Sequence, residues 1–151
     1  NQMPIAIKDS KINITSEKLT KELAKKFIKF LKGGEFIFLY GEMGVGKTTF
    51  VKYFINEFQK LNNISQTEIT SPTFSLLNEY QVKDIRIKHY DLFRINRRED
   101  INSLDLFEND TKLITFIEWP QLVDNIQDIK SIDLTFNYLN NLNDRSVDIK
   151  V

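Results

Sequence analysis

The sequence predicts an α/β fold: three layers, α/β/α, around a sheet that mixes parallel and antiparallel strands. Three observations predict it. An unbroken apolar run, Phe36-Ile37-Phe38-Leu39-Tyr40, suits a parallel strand buried on both faces. It leads into Gly41-Glu42-Met43-Gly44-Val45-Gly46-Lys47-Thr48, which fits the phosphate-loop pattern Gly-x-x-x-x-Gly-Lys-Thr. Helix-like and strand-like segments then interleave along the chain with no repeat or low-complexity linker, so residues 1–151 read as a single P-loop domain.

Each element has its own signal. Thr15 or Ser16 can cap a helix whose apolar stripe is Leu19, Leu23, Phe27, Phe30 and Leu31, and Gly33-Gly34 stops it. After the loop, a helix from about Lys47 to Leu61 turns Phe50, Phe54, Phe58 and Leu61 inward. Phe74 to Tyr80 and Ile85 to Tyr90 read as an antiparallel pair around a turn near Lys83-Asp84, with the mixed patterning of a sheet edge. A short helix is expected from Asp100 to Phe107. Leu113-Ile114-Thr115-Phe116-Ile117 is the second strongly buried strand, and it runs into Glu118-Trp119-Pro120. Ile132 to Tyr138 and Ser146 to Val151 form the last two strands, parted by the turn-prone Asn140-Asn141-Leu142-Asn143-Asp144.

Composition narrows the function classes. Basic and acidic residues balance at 21 each, so no net field draws the chain to nucleic acid or anionic membrane. There is no cysteine, which removes disulfides, thiolate metal sites and a thiol nucleophile together. Apolar runs fall short of a membrane span, and no signal-peptide layout is visible, so the expected location is cytoplasmic. Met3 is read as the natural start, with Asn1 and Gln2 ahead of it.

The loop carries the strongest chemistry. Its glycines let consecutive backbone N–H groups curl around phosphate oxygens. Lys47 supplies a cation to the β- and γ-phosphates, the Thr48 hydroxyl can ligate Mg²⁺, and the next helix aims its positive end at the anion. All five glycines lie between Gly33 and Gly46. A switch GTPase needs an Asp-x-x-Gly later in the chain and a transporter ATPase needs a glycine-rich signature loop, so neither is possible here. No Asn-Lys-x-Asp guanine reader occurs, which favours ATP over GTP.

Such a site also needs a carboxylate near the metal and something to orient the attacking water. Glu118 fits by position at the end of a buried strand, either holding Mg²⁺ directly or through water, or acting as general base. Asp91 is the other candidate. Thr73, in Ser71-Pro72-Thr73, stands where a γ-phosphate-sensing switch belongs. His89 reads as a strand-packing histidine, Trp119 as core or as a shield against water, and Arg94 as an anion contact or a surface ion pair.

Four segments in order and register resemble one family: residues 41–50, Ser-Pro-Thr-Phe at 71–74, His-Tyr-Asp-Leu-Phe-Arg at 89–94 and Ile-Glu-Trp-Pro at 117–120. The resemblance is to the TsaE (YjeE) family and covers nearly the whole chain. It implies an ATPase, weak on its own, that works with TsaB and TsaD to form threonylcarbamoyladenosine at position 37 of tRNAs reading codons that begin with A. The tRNA would be reached through that complex. By similarity, ATP would be held by Gly41, Glu42, Met43, Gly44, Val45, Gly46, Lys47, Thr48, Thr49, Thr73 and Trp119. Mg²⁺ would be held by Thr48 with Glu118 and Asp91, while Glu118, Asp91 and Lys47 would be catalytic. Glu17 aligns with a position that contacts the nucleotide near the base. Two other readings stay open: a small-molecule kinase with Arg97-Arg98 as lid, and a nucleotide-sensing module without catalysis.

Overall fold

Ser16 starts the first helix as expected, accepting a hydrogen bond from the Leu19 N–H at 3.2 Å. The computed structural model of the chain describes residues 11–126 and 129–151, so the expectation for Met3 lies outside the described residues. A short strand, β1 (Lys11–Asn13), precedes helix α1 (Glu17–Phe30). Then come β2 (Phe36–Tyr40), α2 (Lys47–Leu61), β3 (Leu77–Val82), β4 (Ile85–Asp91), β5 (Leu113–Glu118), β6 (Ser131–Tyr138) and β7 (Arg145–Lys150). The strands form one sheet in the order β1-β7-β6-β2-β5-β4-β3. Its centre is parallel, with β2 between β5 and β6 and β4 beside β5, while β3 and β7 run antiparallel to their neighbours.

Side-chain alternation divides the core by faces. Ile37 and Leu39, Ile114 and Phe116, and Leu134 and Phe136 point to the face that α1 and α2 cover. Phe38, Tyr90 and Ile117 point the other way, where Leu92, Ile101, Leu106 and Val123 cover them. The third layer is therefore built from loops and two 3-10 helices, Arg98–Leu104 and Pro120–Leu122. Phe50 of α2 is the hub of the helical face. Its ring lies 5.5 Å from Phe27, 6.1 Å from Phe136 and 6.5 Å from Phe116, so it joins α1, α2, β5 and β6.

Four local expectations are corrected. Leu19 and Leu61, at the ends of their helical stripes, are 40% and 68% exposed. Phe74 is not in a strand: residues 72–76 form a turn closed by the Leu76 N–H on the Pro72 carbonyl at 2.7 Å, with Leu76 at φ 70°, and Phe74 is 81% exposed. The expected helix at 100–107 is a 3-10 helix two residues earlier. It ends where Asp105 takes a left-handed backbone and the Tyr90 hydroxyl bonds the carbonyls of Leu104 and Asp105. Of the β3–β4 pair only β3 is an edge strand, since β4 is enclosed between β3 and β5. The last turn does form as expected, with the Asn141 side-chain oxygen accepting from the N–H groups of Asn143 and Asp144.

If Phe50 is the hub, Phe50→Ala lowers the unfolding free energy by about 3–5 kcal/mol. Leu61→Ala changes it by no more than about 0.5 kcal/mol. Urea titrations of the two variants against the parent chain read both outcomes.

Candidate functional site

The strand register assembles the site. Leu39 pairs with Glu118, and Asp91 pairs with Glu118, across parallel neighbours. The carboxyl ends of β2, β4 and β5 thus lie level, with the phosphate loop leaving β2 directly over two adjacent carboxylates. Open α/β sheets bind ligands in this position, outside the carboxyl ends of their strands.

The loop's shape follows from its sequence. At Gly41, φ is 140°, and a Cβ there would stand 2.7 Å from the Phe136 carbonyl oxygen and 2.9 Å from Val45 Cγ1. Val45 is wholly buried in the helical-face core, where it anchors the middle of the loop. Gly46 caps α2 in a left-handed conformation and brings no side chain to the first-turn N–H groups. Those donors at the start of a 15-residue helix are left to a ligand.

Lys47 is buried. Its ammonium donates to the Gly41 carbonyl at 2.5 Å and lies 3.7 Å from the centre of the Trp119 ring. Burial pushes its pKa down, and the nearby Glu118 and Asp91 carboxylates pull it back up. Trp119 holds its position at a cost: its backbone is left-handed, φ 57° and ψ 58°, a strain of about 1–3 kcal/mol for a side chain of this size. Its N–H donates to the Leu39 carbonyl at 3.3 Å and its ring packs 4.9 Å from Phe93.

Both carboxylates are buried and held by donors. Glu118 Oε2 accepts from the Thr48 hydroxyl at 2.7 Å and lies 2.5 Å from His89 Nε2. Asp91 Oδ2 accepts from the Thr73 hydroxyl at 3.0 Å, and its Oδ1 from the Phe93 N–H at 2.9 Å. Ser71 reaches Thr73, oxygen to oxygen, at 2.7 Å.

Most of the expected site residues converge. Met43, Gly44, Gly46, Lys47, Thr48, Thr49, Thr73, Asp91, Glu118 and Trp119, joined by Ser71, line one cavity of about 230 Å³. That is smaller than the roughly 300–1,000 Å³ that encloses a whole small-molecule ligand. The enclosed part is of a size that suits phosphate groups. A larger cavity of about 640 Å³, lined among others by Tyr40, Asp133 and Asp148, contains no loop residue and lies on the sheet face opposite α1 and α2.

Other expected residues sit apart. Glu42 is exposed, and Val45 lies under the loop. Glu17 is exposed on the first turn of α1, outside the cavity lining. It interacts with Tyr53 of α2, whose pKa is raised by burial and then by the Glu17 carboxylate. Arg94 lies over the Phe74 ring at 4.8 Å. Sequence reasoning did not single out Tyr138 and Arg145 of the β6–β7 hairpin, although both approach the loop glycines. Nor did it foresee the His89–Glu118 contact. No local pattern signals either, because pairing between distant strands creates them.

Among the described residues, no group of three or more His, Asp or Glu side chains is arranged to hold a metal, and no helix is long and apolar enough to cross a membrane.

Comparison with known proteins bears on this geometry. The family model described as threonylcarbamoyl adenosine biosynthesis protein TsaE matches residues 14–147. A tRNA threonylcarbamoyladenosine biosynthesis protein TsaE of Rickettsia typhi is 36% identical over 137 residues, covering 91% of this chain and 92% of that protein. The protein of the same description from Aquifex aeolicus is 40% identical over 82 residues, 54% of this chain and 59% of its own. Among solved structures, Bacillus subtilis YdiB shares the fold with a TM-score of 0.70, covering 97% of this chain and 87% of that one at 22% identity.

A phosphate ligand that draws the Lys47 ammonium away takes it off the Trp119 ring. Saturating triphosphate or nucleotide therefore changes the fluorescence of the chain's single tryptophan. In Lys47→Ala the same titration shows at least a tenfold loss of affinity, about 1.4 kcal/mol.

Proposed function

The chain belongs to the TsaE family, whose place is in tRNA threonylcarbamoyladenosine biosynthesis, and from that premise we propose that it is a Mg²⁺-dependent ATPase serving this modification. One observation carries the ATPase reading: the register Leu39–Glu118–Asp91 sets two buried carboxylates directly under Lys47 and Thr48. In the proposed reaction, residues 1–151 act as one ATPase domain in the cytoplasm.

The chain's own groups divide the work. Loop N–H groups and Lys47 bind the phosphates, with Lys47 exchanging the Gly41 carbonyl and Trp119 ring for phosphate oxygen. Glu118 orients the attacking water and takes its proton. Asp91, held by Thr73 and the Phe93 N–H, sets the negative potential beside it. The hydroxyls of Ser71 and Thr73, which line the cavity, would face the γ-phosphate.

The donor set fits Mg²⁺: the Thr48 hydroxyl and the Glu118 and Asp91 carboxylates are hard oxygen ligands. Too few protein groups converge to hold the ion alone, so it would be bound with the nucleotide's phosphates. When bound it supplies charge neutralisation for the transferring phosphoryl group.

We further propose that TsaB and TsaD are the partners, with tRNA reached through them. The small-molecule kinase alternative draws no support from Arg97 and Arg98. Arg97 pairs with Glu99 and Asp100, and Arg98 bonds Asn125, all away from the cavity.

ATP turnover measured with and without the TsaB–TsaD complex tests the proposal. The expected result is stimulation by the complex. Glu118→Gln should retain nucleotide binding but lose about 10²–10⁴-fold in hydrolysis. Hydrolysis unchanged in Glu118→Gln would remove the assigned base.

A further inference from the structure

We propose that His89 is the positioning residue of this site: its imidazole locks the Glu118 carboxylate so that one oxygen faces the cavity. The role of Glu118 rests on the ATPase reading above; the geometry of the lock does not.

His89 is the only histidine in the chain and is completely buried. It sits on β4 between Asn78 of β3 and Phe116 of β5, on the same sheet face as Asp91 and Glu118. Its Nε2 lies 2.5 Å from Glu118 Oε2, in hydrogen-bond contact with the carboxylate. Its Nδ1 is buried and, among the described residues, has no hydrogen-bond partner. A proton on Nδ1 would be a buried donor without an acceptor, whereas a bare lone pair there costs less. The proton therefore sits on Nε2 and is donated to Glu118.

Glu118 Oε2 then accepts two hydrogens, one from His89 and one from Thr48. Among the described residues no hydrogen bond is made to Oε1, so Oε1 is the oxygen free to meet water or cation. The terminal torsion of a glutamate is broad and roughly two-fold. Two donors converging on one oxygen from β4 and α2 remove that freedom. Without His89, Thr48 alone would hold the carboxylate, and the neighbouring Asp91 charge would push it aside.

The test uses the full chain with ¹⁵N-labelled histidine. Because there is one imidazole, long-range ¹H–¹⁵N spectra report its tautomer without assignment. The expected spectrum shows a protonated Nε2 and a lone-pair Nδ1, with the Nε2 proton shifted in Glu118→Gln. Steady-state kinetics of His89→Ala should show kcat reduced about 10- to 100-fold with KM for ATP little changed. His89→Gln, which keeps a donor, should recover part of kcat. A proton found on Nδ1, or an Nε2 signal indifferent to Glu118→Gln, overturns the lock. So does a folded His89→Ala chain with unchanged kcat. If the chain hydrolysed no ATP, the ATPase reading would fail, and the spectra would still decide the lock.

Discussion

The site depends on one constraint: two buried carboxylates stand side by side at the ends of neighbouring parallel strands. Asp91 and Glu118 are in register on β4 and β5, on the same sheet face. Like charges so placed repel, and burial strengthens the repulsion. The surrounding structure is an answer to that repulsion. The Lys47 ammonium lies close to both, Thr48 and His89 engage Glu118, and Thr73 and the Phe93 N–H engage Asp91.

Those compensating groups arrive from several elements, which ties the fold to the chemistry. Lys47 and Thr48 open α2, whose orientation is fixed by Phe50 in the helical-face core. Thr73 comes from the turn ahead of β3, and Trp119 from the left-handed residue that ends β5. The arrangement leaves Lys47 satisfied by a carbonyl and an aromatic face, both weaker partners for an ammonium than phosphate. Phosphate can displace them without breaking an ion pair to either carboxylate.

The elements that hold the site were legible because their sequence signals are long and continuous. The apolar runs at β2 and β5 and the Gly-x-x-x-x-Gly-Lys-Thr loop leave little choice of structure, and they place Lys47, Thr48 and Glu118. Other signals misled for physical reasons. Phe74 has high β-propensity, yet it lies inside the 72–76 turn, which ends on a left-handed Leu76 and puts the ring in solvent. Leu19 and Leu61 obey helical periodicity, but periodicity does not tell where the neighbouring element ends. The three residues of β1 carry no pattern, since their strand identity comes from pairing with β7. The His89–Glu118 contact was hidden similarly: β4 and β5 are adjacent only after folding, so a histidine read as packing is also a partner of the site's central carboxylate.

On the proposed reading, Thr48 and the paired carboxylates complete a cation site only when nucleotide phosphates are present. Electron paramagnetic resonance of Mn²⁺, used in place of Mg²⁺, measures this directly. One bound ion per chain is expected in the presence of ADP, with little binding in its absence and at least tenfold weaker binding in Thr48→Ala. Equal Mn²⁺ affinity with and without nucleotide, or an unaltered Thr48→Ala titration, would contradict it.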